Sequence, residues 1–421
     1  MRSSNRLAFL TSTVFVFVGA ASAAGADASA EGPIGVEAYV QIVLRSHPGA
    51  RQVKALETAA NAEHKATRQI SDPVVAFSWD RASLPVSAGP SVTETGFSVS
   101  QTIPWPGTFK ANTRAGDRAA DALRAQGVGL RWELEIEARS AFARLLFARA
   151  ALEIARAAEA DAFSLRELTA HRAELGEARE ADRIKAEVEW LRQQRIRRAD
   201  ERWAEAAEEV LRTLAVEPLA RPLALEGELL RPIPPTDAAA LGARLSLSNP
   251  RLLAARATSE RDAALVSAAG RARIPDLDVT WFLDKELDKH ASGFAFGVRI
   301  PLWNARRGEI ARAQAASASA VAGADRALLD LTTELESARR ELDIASGQAD
   351  ILEREILPAA TRSLELARFS YQEGETSLLD LLDAQRTFRE TEREAAASRL
   401  ALAMALLDVQ RLVGPDFHPG R

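Results

Sequence analysis

Side chains able to do chemistry are few and scattered in this sequence. The five histidines (His47, His64, His171, His290 and His418) lack metal-ligand spacing and read as structural or surface residues. There is no cysteine, which excludes a disulfide framework, a cysteine-ligated zinc or iron–sulfur site and a thiol nucleophile. No phosphate loop, nucleophile elbow or paired-histidine zinc motif occurs. No metal and no cofactor is expected, and the chain reads as not an enzyme. The chemistry that remains is electrostatic. Asp380 and Asp383 are three residues apart, which puts both carboxylates on one face of a helix. Asp380 also follows Ser377 by three residues, the spacing of an acidic partner to a helix N-cap, where negative charge is favourable.

The elements that carry these residues are expected to be helical. The chain has 421 residues, 47% hydrophobic and 27% charged, with only 23 Gly and 18 Pro among abundant Ala, Leu, Glu and Arg. A net charge of -5 argues against a basic surface, so no nucleic-acid partner is expected. Residues 1–23 have the plan of a secretory signal peptide: Arg2 and Arg6, a mainly apolar run from Leu7 to Val18, then Ala21-Ser22-Ala23. That run is too short to span a bilayer as a helix, which takes about 20 residues. No other stretch is apolar for long enough, so entry into a membrane would require β-strands.

The remainder is written twice. Ser46-His47-Pro48 corresponds to Ser248-Asn249-Pro250, Pro73 to Pro275 and Trp79 to Trp281. Gly96-Phe97 corresponds to Gly293-Phe294, Gly176 to Gly374, and Asp182 to Asp380. Asp383 has Lys185 as its first-half equivalent, a cation in place of the acid. The first repeat covers residues 24–215 and the second 237–413. Between them, 216–236 is a Pro-rich linker, and 414–421 is a tail.

Within each repeat, two segments alternate apolar and polar residues with period two: about 73–81 and 95–104, then about 275–284 and 292–301. Gln101 interrupts the apolar face of the second. Segments of about ten residues suit a tilted membrane strand. Trp79, Trp105, Trp281 and Trp303 lie in or beside these strands, where an interfacial aromatic girdle would place them. Four strands cannot close a barrel, and open edges are not tolerated in lipid, so several chains would be required. Three copies would supply twelve strands. Long helices are expected over about 108–174 and 307–372, the second interrupted at Pro358. Helices over about 179–216 and 377–413 return from turns at Gly176 and Gly374. Helices of this length cannot bury themselves within one chain.

The pattern resembles the TolC-like family of outer-membrane efflux proteins over essentially the whole mature chain. The resemblance rests on the duplicated plan and on Tyr371-Gln372-Glu373-Gly374-Glu375, continuing to Leu379-Asp380-Leu381-Leu382-Asp383-Ala384-Gln385. Ser100-Gln101-Thr102-Ile103-Pro104-Trp105-Pro106-Gly107 is similar to the strand-exit motif of the heavy-metal branch. That branch often carries a lipidated N-terminal cysteine, which this cysteine-free sequence lacks.

The resemblance implies a mainly α fold with a small membrane β-barrel: a homotrimer with a twelve-stranded barrel in the outer membrane and a long α-helical barrel in the periplasm. It implies outer-membrane lipid, a periplasmic adaptor and an inner-membrane pump of the RND type as partners. The expected function is a passive exit duct, with heavy-metal cations as cargo. The same duct for drug efflux or type I protein secretion is the nearest alternative, and a soluble periplasmic coiled-coil scaffold or adaptor is one of another class. By motif, Asp380 and Asp383 map onto aspartate rings that gate the entrance. Six crowded carboxylates would attract cations and raise one another's pKa. Tyr371 maps onto a tyrosine that ties the closed state, and Gly176, Gly374 and Glu375 onto adaptor contacts. The arginine that often follows the family's second-half glycine is replaced by Thr376.

Overall fold

The computed structural model describes residues 33–82, 92–219, 223–227, 237–286, 289–298, 300 and 306–415. The signal-peptide segment, much of the Pro-rich linker, most of the tail, Trp303 and His418 lie outside these residues.

The first half runs β1 (Ile34–Gly35), α1 (Val36–Ser46), α2 (Pro48–Ala66), β2 (Val74–Ala82), β3 (Val92–Ile103), α3 (Pro106–Glu174) and α4 (Glu180–Ala215). After β4 (Leu225–Glu226), the second half repeats the plan with α5 (Ala238–Ser248), α6 (Pro250–Arg271), β5 (Leu277–Glu286), β6 (Lys289–Val298) and α7 (Arg307–Ile351). A π-helical turn, Leu352–Ile356, leads into α8 (Leu357–Gln372), and α9 (Leu378–Val413) completes the chain.

The repeated tripeptides are helix-start signals. His47 Nδ1 accepts the Gly49 N–H at 3.0 Å, and the Asn249 side chain accepts the Leu252 N–H at 2.9 Å. Pro48 and Pro250 each occupy a first-turn position, where a missing N–H costs nothing. Asn249 also donates to the Leu412 carbonyl at 2.8 Å, tying α6 to the end of α9.

The two long helical stretches differ because only the second has a proline in its interior, the proline of α3 being confined to its first turn. α3 runs 69 residues without a break, roughly 100 Å at 1.5 Å per residue. In the second half Pro358 cannot donate to the carbonyl four residues back. The π turn just before it absorbs this mismatch, with the Leu357 N–H bonded to the Leu352 carbonyl.

A single sheet joins the repeats, in the order β2-β3-β5-β6 and antiparallel throughout. Each strand leads from or into a helix, and the helices keep the same order: α3 packs on α2 and α6, and α6 on α7. Further from the sheet the order is α4, α3, α9, then α7 and α8. The molecule is therefore one layer with lateral edges at β2 and β6 and, at its far end, at α4 and α8. Its core is divided along the layer. One cluster gathers Tyr39, Val43, Leu134, Phe142, Leu145 and Leu211, where Tyr39 Oη donates to the Leu211 carbonyl at 2.9 Å. Another gathers Leu241, Leu252, Leu331, Leu402 and Val409 from α5, α6, α7 and α9.

α4 ends at Val216, which takes φ 61° and ψ -39°. A β-branched side chain in this left-handed region costs about 1–3 kcal/mol, more than the about 0.4–1 kcal/mol of chain entropy that a glycine adds to the unfolded state. Val216→Gly is thus expected to stabilise the protein by about 1 kcal/mol. An unchanged or lower melting temperature would contradict this.

Candidate functional site

Both helical hairpins turn on a glycine with positive φ, Gly176 at 77° and Gly374 at 78°. The Glu177 N–H returns to the Arg172 carbonyl at 2.8 Å, and the Glu375 N–H to the Ser370 carbonyl at 2.8 Å. These are Schellman turns, which satisfy the last carbonyls of a helix. A Cβ on either glycine would meet nothing within 4 Å, so backbone conformation, not space, requires them.

Ser377 and Asp380 then start α9 as a capping box. The Ser377 N–H donates to Asp380 Oδ2 at 3.1 Å, Ser377 Oγ lies 2.7 Å from the same oxygen, and the Asp380 N–H returns to Ser377 Oγ at 3.3 Å. The Ser377 hydrogen bonds hold the Asp380 carboxyl below its ordinary pKa. Within one chain the shift is thus downward, opposite to that expected of crowded carboxylates. Asp380 and Asp383 both face solvent. A folded pKa below the unfolded one contributes stability above the ordinary carboxylate pKa near 3.9, and loses it as pH falls through the folded value. Ser377→Ala is accordingly expected to weaken stability at neutral pH, and to flatten its fall below about pH 4. Identical acid-melting profiles for the two proteins would remove the cap from the account.

Tyr371 is buried, packed with Leu165, Ala186, Leu364, Leu378 and Leu381 in a core shared by all four tip helices. The Arg172 guanidinium lies over its ring at 5.4 Å. Glu375 is exposed at the turn. In the first hairpin Lys185 pairs with Asp182 itself at 3.5 Å, and Arg179, at the N-cap, makes no side-chain cap. The two tips therefore share their turns and differ in their charge.

Just above the tips, three ion pairs join the hairpins that the sequence pattern did not single out. Arg368 meets Asp161 at 2.6 Å, Arg389 meets Glu189 at 3.4 Å, and Arg393 meets Asp200 at 2.9 Å. Every cation lies on the second hairpin and every acid on the first. Arg389 also donates to the Ala158 carbonyl at 3.2 Å, and Gln193 to Glu189 at 2.7 Å. Burial pulls the Arg389 pKa down against the attraction of Glu189. Burial, reinforced by Asp161, pushes Glu392 up. The one sequence signal was position: Leu378, Leu382, Gln385 and Arg389 follow a 4-3-4 spacing along the apolar stripe.

At the other end, the register sorts the sheet into two faces. Val75, Phe77, Val99, Trp281, Leu283, Phe294 and Phe296 share one, and Ser78, Ser98, Ser100, Thr280, Asp278 and Asp284 the other. The apolar face is open to its surroundings, with Phe77 at 71% and Phe296 at 70% exposure. Gln101, which interrupts it, donates to the Ser71 carbonyl at 2.8 Å and the Thr102 carbonyl at 3.0 Å. Gly96 sits between Ser78 and Asp284, where a Cβ would meet oxygens at 2.5 and 2.6 Å. Trp79 aligns with Thr95, Lys285 and His290 at the far end of the apolar band. Trp105 lies past the other end, its N–H on Asp276 at 3.0 Å. Trp281 differs from the girdle expectation: it stands in the middle row with Val99 and Phe294, edge-on to Phe97 at 6.1 Å between centroids.

An exposed apolar sheet whose strands continue into helices some 100 Å long defines a class: a transmembrane β-structure with a long α-helical extension. Residues 241–415 match the family described as outer membrane efflux protein. The match lies in the second repeat, and the fold of the whole chain is TolC-like. It is similar to the cobalt-zinc-cadmium resistance protein CzcC of Cupriavidus metallidurans, 25% identical over 290 residues that cover 67% of this chain and 68% of CzcC. Among solved structures it superposes on a membrane protein from Pseudomonas aeruginosa with a TM-score of 0.76 at 21% identity, covering 92% of this chain and 91% of that one. It superposes on CusC with a TM-score of 0.76 at 16% identity, covering 90% and 92%. Its fold is therefore that of outer-membrane channels, and its second half carries the efflux-protein match.

Proposed function

We propose that this chain is one third of a homotrimeric exit duct that conducts heavy-metal cations passively from the periplasm to the exterior. The observation that carries the reading is the pair of unfinished lateral edges. β2 and β6 each leave one side of the sheet unpaired, which lipid does not tolerate. At the helical end, α4 exposes Ile184, Val188, Leu191, Trp203 and Val210, and the opposite edge exposes Ile344, Ile351, Leu366 and Phe369. Unlike edges, one on each side, make a heterologous contact that closes into a ring. Three copies give twelve strands, with the apolar face toward lipid and the polar face lining the lumen.

The cation cargo rests on the likeness to CzcC and on charge. Asp80, Glu94, Asp278 and Asp284 lie on the polar face, with Lys289 at its far end. At the tips, Asp380 and Asp383 would form two rings that narrow the entrance and favour cations. Gly176, Gly374 and Glu375 would meet a periplasmic adaptor, which couples the duct to an inner-membrane pump of the RND type. Opening would separate the aspartate rings, a two-state change biased by the adaptor.

Purified protein in a planar bilayer tests the reading. A low, cation-selective conductance from a particle of three chains is expected. A monomeric elongated protein that stays in the aqueous fraction and conducts nothing would overturn it in favour of a periplasmic scaffold.

A further inference from the structure

α4 and α9 both pack on α3, and they meet each other through the Arg389–Glu189 and Arg393–Asp200 ion pairs. Between them, above the tips, runs a cleft of about 310 Å³ floored by Ala155 and Ala158 of α3. Arg192 and Arg195 line it from α4, and Arg386, Arg389 and Arg393 from α9. The acids are fewer. Glu189 serves both Arg389 at 3.4 Å and Arg192 at 3.8 Å, and Asp200 serves Arg393 at 2.9 Å. Glu390 is the other acid of the lining. Among the described residues, neither Arg195 nor Arg386 has an acid partner.

Five guanidiniums and two carboxylates therefore line one cleft, with Asp200 pairing Arg393 from outside the lining, in a chain whose net charge is -5. Like charges gathered on two helices repel unless something neutralises them. Guanidinium donors favour planar, bidentate recognition of oxyanions. We propose that this cleft is a binding site for a compact multivalent oxyanion, of the phosphate or small polycarboxylate class, held between Arg195 of α4 and Arg386 of α9. The anion bridges the first hairpin to the second alongside the three ion pairs, and its occupancy stiffens the tip region. The inference does not rest on the duct reading, because the cleft lies within one chain.

The test uses the purified full-length protein in detergent, titrated with inorganic phosphate and separately with citrate, at constant ionic strength against chloride. Isothermal titration and the melting temperature are read together. Saturable binding is expected for at least one anion, with a rise in melting temperature. Arg195→Gln/Arg386→Gln is expected to weaken it about a hundredfold, two charge-assisted hydrogen bonds being lost. Arg202→Gln, on an exposed arginine outside the cleft, should leave it unchanged. Phosphate alone binding would identify a tetrahedral oxyanion, and citrate alone a polycarboxylate. No saturable binding of either, or equal binding by the double variant, would overturn the proposal. Both variants remain measurable for conductance, so a failed anion site and a failed duct give separate readouts.

Discussion

Arg389→Leu is expected to cost about 3–5 kcal/mol of folding stability, because it strands a carboxylate in the interior. Arg389 and Glu189 are only 7% exposed each. Removing the cation alone leaves Glu189 with Gln193 at 2.7 Å and the more distant Arg192 at 3.8 Å, neither of which replaces a buried charge partner. The Ala158 carbonyl loses its side-chain donor as well. Arg389→Leu/Glu189→Leu is expected to recover most of the loss, since replacing both members of a buried pair by apolar groups is often neutral or better. Denaturation of the detergent-solubilised protein, with the double variant alongside, reads this directly. If Arg389→Leu matched the native protein, the pair would be a surface contact of small worth, and the hairpins would be held by the apolar tip core alone.

Asp380→Ala/Asp383→Ala is expected to raise single-channel conductance and to lower cation preference by about tenfold or more, the scale on which focused charge concentrates counter-ions. Both side chains are exposed in the single chain and share a helix face. In the proposed trimer their charges act where the three chains meet. Two roles are entangled at Asp380, which also completes the capping box with Ser377. Ser377→Ala separates them. It removes the cap and leaves both carboxylates, so selectivity should persist while stability falls. Asp383→Ala does the reverse, since the box does not involve it. An unchanged conductance and selectivity in the double variant would move the constriction elsewhere, while leaving the barrel reading intact.

Much of the architecture was legible in the sequence because it is local. Period-two alternation puts Val75, Phe77 and Trp79 on one face wherever the strand pairs, and the register keeps them there. The offset repeat of Ser46-His47-Pro48 and Ser248-Asn249-Pro250 encodes a cap and a proline tolerated in the first turn, whatever lies around them. Gly176 and Gly374 mark the turns because a positive φ is a property of one residue's backbone. Ser377 and Asp380 were legible as a cap for the same reason: both partners lie within one turn.

What only the tertiary structure decided depends on residues far apart in the chain. Nothing in β3 or β5 alone says that they pair and so fuse the two repeats into one sheet. Trp281 alternates like Trp79, yet the register puts it mid-band, because depth in the band is a property of the paired sheet. Arg389 is separated from Glu189 by 200 positions, and its charge reads as a surface residue until α3, α4 and α9 close around it. Charge burial and lateral pairing are set by which distant surfaces meet, whereas caps, turns and strand faces are set by neighbours along the chain.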